Sequence, residues 1–476
     1  METKNVELIA HLMRRAGFGA TRTELEELSA KGYEATIDWL FNTEKDDGIE
    51  IDLARRYHPD YSGGLGMAGF NAFWLHRMIN SQTPLVEKTT LFWHGVFATG
   101  YAKLAQGRVL MDQIEMFREN GFGDLPTLLV KLSKEPSMIL WLDNNDNHSG
   151  AINENYGREL LELFSMGVGN YTEDDVKEAS RAFTGWTVAN TEYMTMKARN
   201  DSLWPYGRLN LHFEFRENDH DELEIDFLGH HDKSAGESVV DIICQQEATA
   251  IFIARHMYSF FVADEPPVPS WPYTPPRDPE AIETLVETYF ENGYQIKPML
   301  QKLFESDFFK DETVWYEKVK SPSEVVAGVL RLTGEYNDYD PAMNAEAGSV
   351  GVMGQSLVNP PSVEGWHWGA EWIDTGNLVE RVNFASSHFN DVTKPGVRQM
   401  INSFVLSTDG NASPERLVEE CLDQMGAVQI SHESQAHLVA HATRDGRLEV
   451  NGEDAGRRRV AEMFQLIAAT PEFQKG

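Results

Sequence analysis

His11 to Phe41 reads HLMRRAGFGATRTELEELSAKGYEATIDWLF. From Val6 onward apolar residues recur in it at three- and four-residue intervals, the period of an α-helix with one buried face. The run breaks at Gly17-Phe18-Gly19, where glycine permits a turn. Thr21 or Thr23 then suits a helix cap, with Glu24 and Glu26 in the first turn, where the positive end of the helix dipole favours acid. This is a helical hairpin. Past a Gly, Tyr and Pro-rich loop at 57–69, the same period covers 70–80, 85–99, 106–120, 125–142 and 154–164. It returns at 239–261, 281–289, 297–306, 323–334 and 457–469, with further helices expected after Asn377.

The period changes once. LHFEFRENDHDELEIDFLG alternates apolar and polar residues on both sides of an Asn-Asp-His-Asp turn, which predicts strands at 211–215 and 223–227 paired as a β-hairpin. A shorter turn is expected at 449–453, and 337–361, rich in Gly, Asn and Pro, reads as irregular. The expected fold is mainly α, a large multi-helical protein with a small β-hairpin insertion. Its organisation reads as a helical core lobe at 1–262 that includes the hairpin near 211–227, a Pro-rich loop at 263–278, and a carboxy-terminal helical lobe at 279–476.

Composition limits the function. The chain of 476 residues is 41% hydrophobic and 11% aromatic, enough for a packed interior. Its 75 Asp and Glu against 41 Lys and Arg give a formal charge of −34, which repels phosphate backbones and argues against nucleic acid as a partner. Two cysteines, Cys244 and Cys421, are too few for a disulfide framework or a thiolate metal site, so a metal would need oxygen or imidazole ligands. No run approaches the roughly 18 apolar residues of a membrane span or the pattern of a leader, so the chain reads as cytoplasmic. The signatures of serine-elbow hydrolases, P-loop proteins, dinucleotide folds and His-Glu-x-x-His proteases are missing.

Several segments, in order, resemble the bacterial family called domain of unknown function 1800: HLMRRAGFG at His11, EKTTLFWHGVFAT at Glu87, NENYGRELLELFSMGVGNYTEDDV at Asn153 and RAFTGW at Arg181. FIARHMYSFFV at Phe252, IKPMLQKLFESDFF at Ile296, VKSPSE at Val319 and MGQSLVNPPSVEGW at Met353 extend the likeness over nearly the whole chain. The resemblance implies proteins that are often exported and that sit beside a sulfatase-like family, domain of unknown function 1501, a candidate partner. It also implies Trp-His-x-His-Phe where this chain has Trp93-His94-Gly95-Val96-Phe97, so the second histidine is absent, and His-Asp in the hairpin, matched by His220-Asp221.

Three patterns carry chemistry. DNNDNHSGAINE places oxygen side chains at Asp143, Asn145, Asn147 and Glu154, positions 1, 3, 5 and 12 of a calcium loop, although His148 and Gly150 depart from that pattern. The alternative is an Asn-rich loop whose amides satisfy helix ends. Glu154, Arg158, Glu159 and Glu162 share helix faces, which suits either a paired-carboxylate acid/base centre or a structural Arg-Glu lattice. Glu87, Thr90 and His94 also share one face, as a Glu-His dyad or a satisfied core histidine. Taken together, the sequence expects a metal-dependent enzyme with Ca2+ at 143–154. Glu159 is its acid/base, Arg158 binds an anion, and His94, Arg181, His220 and Asp221 line the cleft. The rival expectation is a noncatalytic binding or assembly partner of the sulfatase-like protein.

Overall fold

The computed structural model describes residues 2–45, 47–49, 67–105, 107–190, 211–268, 272–444, 446–450 and 454–476. The chain opens with α1 (Glu2–Ala16), α2 (Arg22–Lys31) and α3 (Tyr33–Leu40), then α4 (Ala68–Asn80), α5 (Pro84–Val96), α6 (Gly107–Asn120), α7 (Leu125–Lys134), α8 (Pro136–Trp141), α9 (Asn155–Glu162) and α10 (Glu173–Ala182). After four strands come α11 (Gly236–Cys244), α12 (Glu247–Phe261), α13 (Pro279–Glu291), α14 (Ile296–Glu305), α15 (Pro322–Thr333) and α16 (Met343–Val352). The chain closes with α17 (Thr375–Asn390), α18 (Pro395–Thr408), α19 (Pro414–Gln424), α20 (His432–Arg444) and α21 (Asp454–Ala468). The fold is mainly α. Among the described residues no helix is long and apolar enough to cross a membrane.

Local chemistry explains the boundaries. Thr21 is the cap of α2: its hydroxyl accepts from Glu24 N–H while the Glu24 carboxylate accepts from Thr21 N–H. The same reciprocal box, Ser321 with Glu324, starts α15 and has proline at its first position. The predicted helix at 125–142 is two helices, because Pro136 cannot continue α7 and instead begins α8. The predicted helix at 239–261 is likewise two, separated at 245–246. Within 337–361, read as irregular, α16 forms and packs against α4. Its glycines conceal the helical period. The 57–66 part of the expected loop, residues 269–271 of the Pro-rich segment and the 451–453 part of the expected turn lie outside the described residues.

The β-hairpin is paired differently from the sequence expectation. β1 (Trp186–Asn190) pairs antiparallel with β2 (Leu211–Phe215), while β3 (Glu224–Phe227) pairs with β4 (His230–Lys233), so 211–215 and 223–227 are not partners. The reason is turn geometry. Leu228 and Gly229, both at positive φ (48° and 78°), give β3 and β4 the two-residue connection that matches strand twist. The segment between β2 and β3 is instead tied down through His220 and Asp221. A third pair joins β5 (Asn411–Ala412) to β6 (Leu448–Glu449).

At the centre lies α5, every residue of which is buried. One hydrophobic cluster surrounds it and takes residues from both sides of 263–278, among them Leu12, Leu91 and Leu129, and Leu303, Val326 and Phe404. A buried helix of this kind is ordinarily apolar all round, yet α5 carries Glu87 and Lys88 in succession. Glu87 accepts from Arg77 Nε (2.8 Å), Arg118 Nε (2.9 Å), Arg118 Nη2 (3.0 Å) and Trp74 Nε1 (3.2 Å). Burial pushes its pKa up, but the two guanidiniums outweigh burial and hold it down at about 2.

A depressed carboxylate pKa contributes stability above the unfolded value of about 4.5 that is lost as the pH falls towards the folded value. Glu87→Gln removes the buried carboxylate that two guanidiniums share, leaving Arg77 with Asp47 and Arg118 with Glu115, both partly exposed. It is expected to destabilise the fold by about 3–5 kcal/mol at pH 7. In urea unfolding followed by tryptophan fluorescence, the difference from wild type should narrow below pH 4.5.

Candidate functional site

α9 carries the acidic face expected from the sequence. Its Gly157 lies against α10, where a Cβ would stand 2.2 Å from Ser180 Oγ, so glycine sets the spacing of the two helices. Arg158 forks onto Glu173, with Nη1 to Oε1 at 2.8 Å and Nη2 to Oε2 at 2.7 Å, and reaches Glu154 at 3.5 Å. The arginine expected to bind an anion is therefore already paired within the protein. Glu162 accepts from the Tyr171 hydroxyl at 2.8 Å. The carboxylate of Glu159, between them in sequence and half-buried, has no hydrogen bond or ion pair among the described residues. Burial, then the charge of Glu162, raises its pKa to about 7; Arg158 opposes this and Glu364 adds to it. Sequence reasoning missed Glu364 and Tyr171. Both lie in family-like segments, but no spacing rule connects the 353–366 loop to α9.

The other expected residues divide into separate groups. Arg181 Nε donates to Asp221 at 3.0 Å and its Nη1 to Glu178 at 2.7 Å, while His220 bonds the carbonyls of Thr184 and Ser234, both at 2.8 Å. The Arg181–Asp221 and His220–Thr184 contacts pin the β2–β3 connection to the end of α10, and His220 ties it also to Ser234. His94 is elsewhere, fully buried in α5 between the rings of Trp74 (5.7 Å) and Trp366 (5.1 Å). Neither of its ring nitrogens has a hydrogen-bond partner among the described residues, and burial lowers its pKa to about 3. Glu87 is occupied by Arg77 and Arg118, so no Glu87–His94 dyad forms. His94 is enclosed by aromatic rings, and Arg181, His220 and Asp221 are held in contacts of their own.

The Asp143–Glu154 loop bonds largely to the protein itself. Lys103 donates to both Asp143 oxygens at 2.8 and 2.9 Å, and Asn145 donates to Asp146. Asn147, buried, accepts from Asn153 N–H at 3.0 Å and donates to Ser180 O at 2.8 Å and Asn144 Oδ1 at 3.2 Å. Asn144 in turn donates to the carbonyls of Phe183 and Trp186, and Asn155 to that of Leu142. The amides thus satisfy the carbonyl ends of α8 and α10. Among the described residues, no group of three or more His, Cys, Asp or Glu side chains is placed to hold a metal ion.

A family model described as protein of unknown function (DUF1800) matches residues 11–475. The chain belongs to the DUF1800 family. No curated protein and no solved structure matches it.

Short segments of this DUF1800 chain that are far apart in sequence converge on one buried charged centre. Lys88, from α5, pairs with Glu324 and donates to Gly17 O (2.9 Å) and Arg14 O (3.3 Å), capping the carbonyl end of α1. Around Glu324 lie Arg14, Arg15, Lys318, Lys320 and Arg381; the other carboxylate is Asp264, which accepts from Val319 N–H at 3.0 Å. Burial lowers Lys88 to about 8 despite Glu324, and Arg15 and Arg381 to about 10. Glu324 is held well below the ordinary carboxylate range, because Lys88 and Lys318 outweigh its burial. Six cationic side chains thus meet two carboxylates in a protein whose overall charge is −34. No spacing rule predicts this centre, since its members come from five separate segments.

Replacement of Asn147 by alanine removes the acceptor of Asn153 N–H and one of the two donors to Ser180 O, which keeps Phe183 N–H, and is expected to cost about 1–3 kcal/mol. Chemical denaturation run in chelator and again in calcium checks which role the loop plays. An equal loss in both is the helix-capping result, and a loss confined to calcium is the result of an ion-binding loop.

Proposed function

We propose that this protein is an enzyme of acid/base chemistry on a polar substrate, working at the α9 face with Glu159 as the proton-transferring group. The observation that carries the reading is the Glu159 carboxyl, which is half-buried, unpartnered, and poised near pH 7 beside Glu162 and Glu364. A carboxyl that titrates near the working pH both gives and takes a proton with little driving-force penalty. Arg158, the arginine whose charge acts on Glu159, is forked onto Glu173, so no ion pair among the described residues holds the Glu159 carboxylate. In a hydrolysis, Glu159 gives its proton to the leaving oxygen, and Glu162, positioned by Tyr171, is the carboxylate available to take one from water. The metal-assisted form of this chemistry rests on the Asp143–Glu154 loop and is decided by the calcium arm of the Asn147 measurement.

A carboxyl whose folded pKa is raised stabilises the fold only at low pH. Its contribution is complete below the unfolded value of about 4.5 and is lost as the pH rises through about 7. Glu159→Gln is therefore expected to match wild type in urea midpoint at pH 4.5 and to exceed it at pH 8. The same variant should reduce turnover by roughly 100-fold or more against chromogenic esters and glycosides on which wild type is active. A midpoint that falls at pH 8 makes Glu159 a structural group, and turnover unchanged in the variant removes it from the chemistry.

A further inference from the structure

A second site, independent of the α9 carboxylates, opens where the end of α1 meets α15. A pocket there has walls of Phe18, Leu25, Val329, Leu332, Val428 and Phe473, with Arg14, Lys320, Tyr316, Glu324 and Glu472 as polar groups, the last accepting from Ser431 N–H and the Ser434 hydroxyl. On α15 the lining residues Val325, Gly328, Val329 and Leu332 share one helical face. The space open to the centres of water-sized atoms is about 50 Å³, against roughly 10–15 Å³ for one water by the same measure, so the pocket admits a short organic molecule and no large one.

The charges around it are unbalanced. Glu324 is already used on both oxygens, by Lys88 on one and by Ser321 N–H (2.6 Å) on the other. Arg14 has no hydrogen bond or ion pair from its guanidinium among the described residues; it lies over the Tyr316 ring at 4.7 Å, with its Nε buried and unpartnered. The Lys320 ammonium donates, among the described residues, only to the neutral carbonyl of Phe473, at 2.7 Å. Lys318, whose charge also acts on Glu324, is 1% exposed, and its ammonium has no hydrogen-bond partner among the described residues. Enclosed cations without counter-charge are costly, and an anion that enters offsets that cost.

We propose that this pocket binds a small apolar monocarboxylate, its carboxylate between Arg14 and Lys320 and its hydrocarbon part against the Val329, Val428 and Phe473 walls. The apolar walls favour an organic anion over chloride. The Glu324 carboxylate and that of Glu472 in the lining favour a single negative charge over the two of phosphate.

Calorimetric titration of the full chain with butyrate, hexanoate and benzoate, at constant ionic strength, tests this, with inorganic phosphate and chloride as comparison anions. Saturable binding of at least one carboxylate at low-millimolar or better affinity is expected, with a matching rise in melting temperature. Arg14→Gln should weaken it at least about tenfold, removing a charge-assisted contact. Gly328→Val supplies a second arm that leaves every charge in place. A Cβ at Gly328 meets only Phe18 O, at 3.5 Å, so the added side chain fills the pocket and should abolish binding. No saturable carboxylate binding, binding unchanged in both variants, or phosphate bound more tightly than every carboxylate would each overturn the proposal.

Discussion

Two opposite charges on one buried helix order the rest of this molecule. Glu87 and Lys88 are adjacent on α5, so about 100° of helical rotation separates their side chains. Glu87 meets Arg77 of α4 and Arg118 of α6, while Lys88 meets the end of α1 and, through Glu324, the start of α15. Neither charge can reach water, since both side chains are buried. Each partner must therefore arrive in register for the helix to be buried at all. A hydrophobic surface slides at modest expense, whereas a buried ion that loses its partner does not. The α1–α15 junction is held a second time from outside by Arg331, which donates to Gly19 O and pairs with Glu24 at 2.8 Å.

How far the sequence could be read follows from the range of each interaction. Capping boxes, helical period and the Pro136 break act within a few residues, so α2, α4, α6 and α9 are visible in the residues themselves. Strand pairing is not local. The alternation at 211–215 and 223–227 identifies both strands, but their partners depend on the positive-φ pair Leu228 and Gly229 and on anchors at Thr184 and Ser234. α16 escapes because its glycines and small side chains blur the period that packing on α4 enforces. The same distinction holds for the sites. Glu159 and Arg158 are legible because neighbours on one helix turn must interact. Glu364 reaches them from another loop, and the Arg14, Lys88, Lys320 and Glu324 centre draws on segments separated by more than two hundred residues.

The loop that carries Glu364 also explains the isolation of His94. Gly365, at φ +81°, brings its backbone so close to α5 that a Cβ would lie 2.2 Å from Gly95 O. A Cβ on Gly95 would lie 2.8 Å from the Trp368 ring. These two glycines let Trp366 cover His94 and turn Glu364 outward towards α9. One close approach therefore closes a buried histidine on one side and shapes an acidic face on the other.

The distribution of charge then separates two kinds of chemistry. A net charge of −34 places most carboxylates at the surface, where water and salt screen them. Cations are fewer, and several of them are drawn inside to hold helix ends together. At α9, arginines are consumed by neighbouring carboxylates and one acid is left over; at the α1–α15 junction, the carboxylate is consumed and cations are left over. Both leftovers follow from the same rule, that a buried or half-buried ion is stable only with a partner. Where the fold withholds that partner, the group changes its protonation, as Glu159 does near pH 7, or takes a counter-ion from solution. The first outcome suits proton transfer, and the second suits binding.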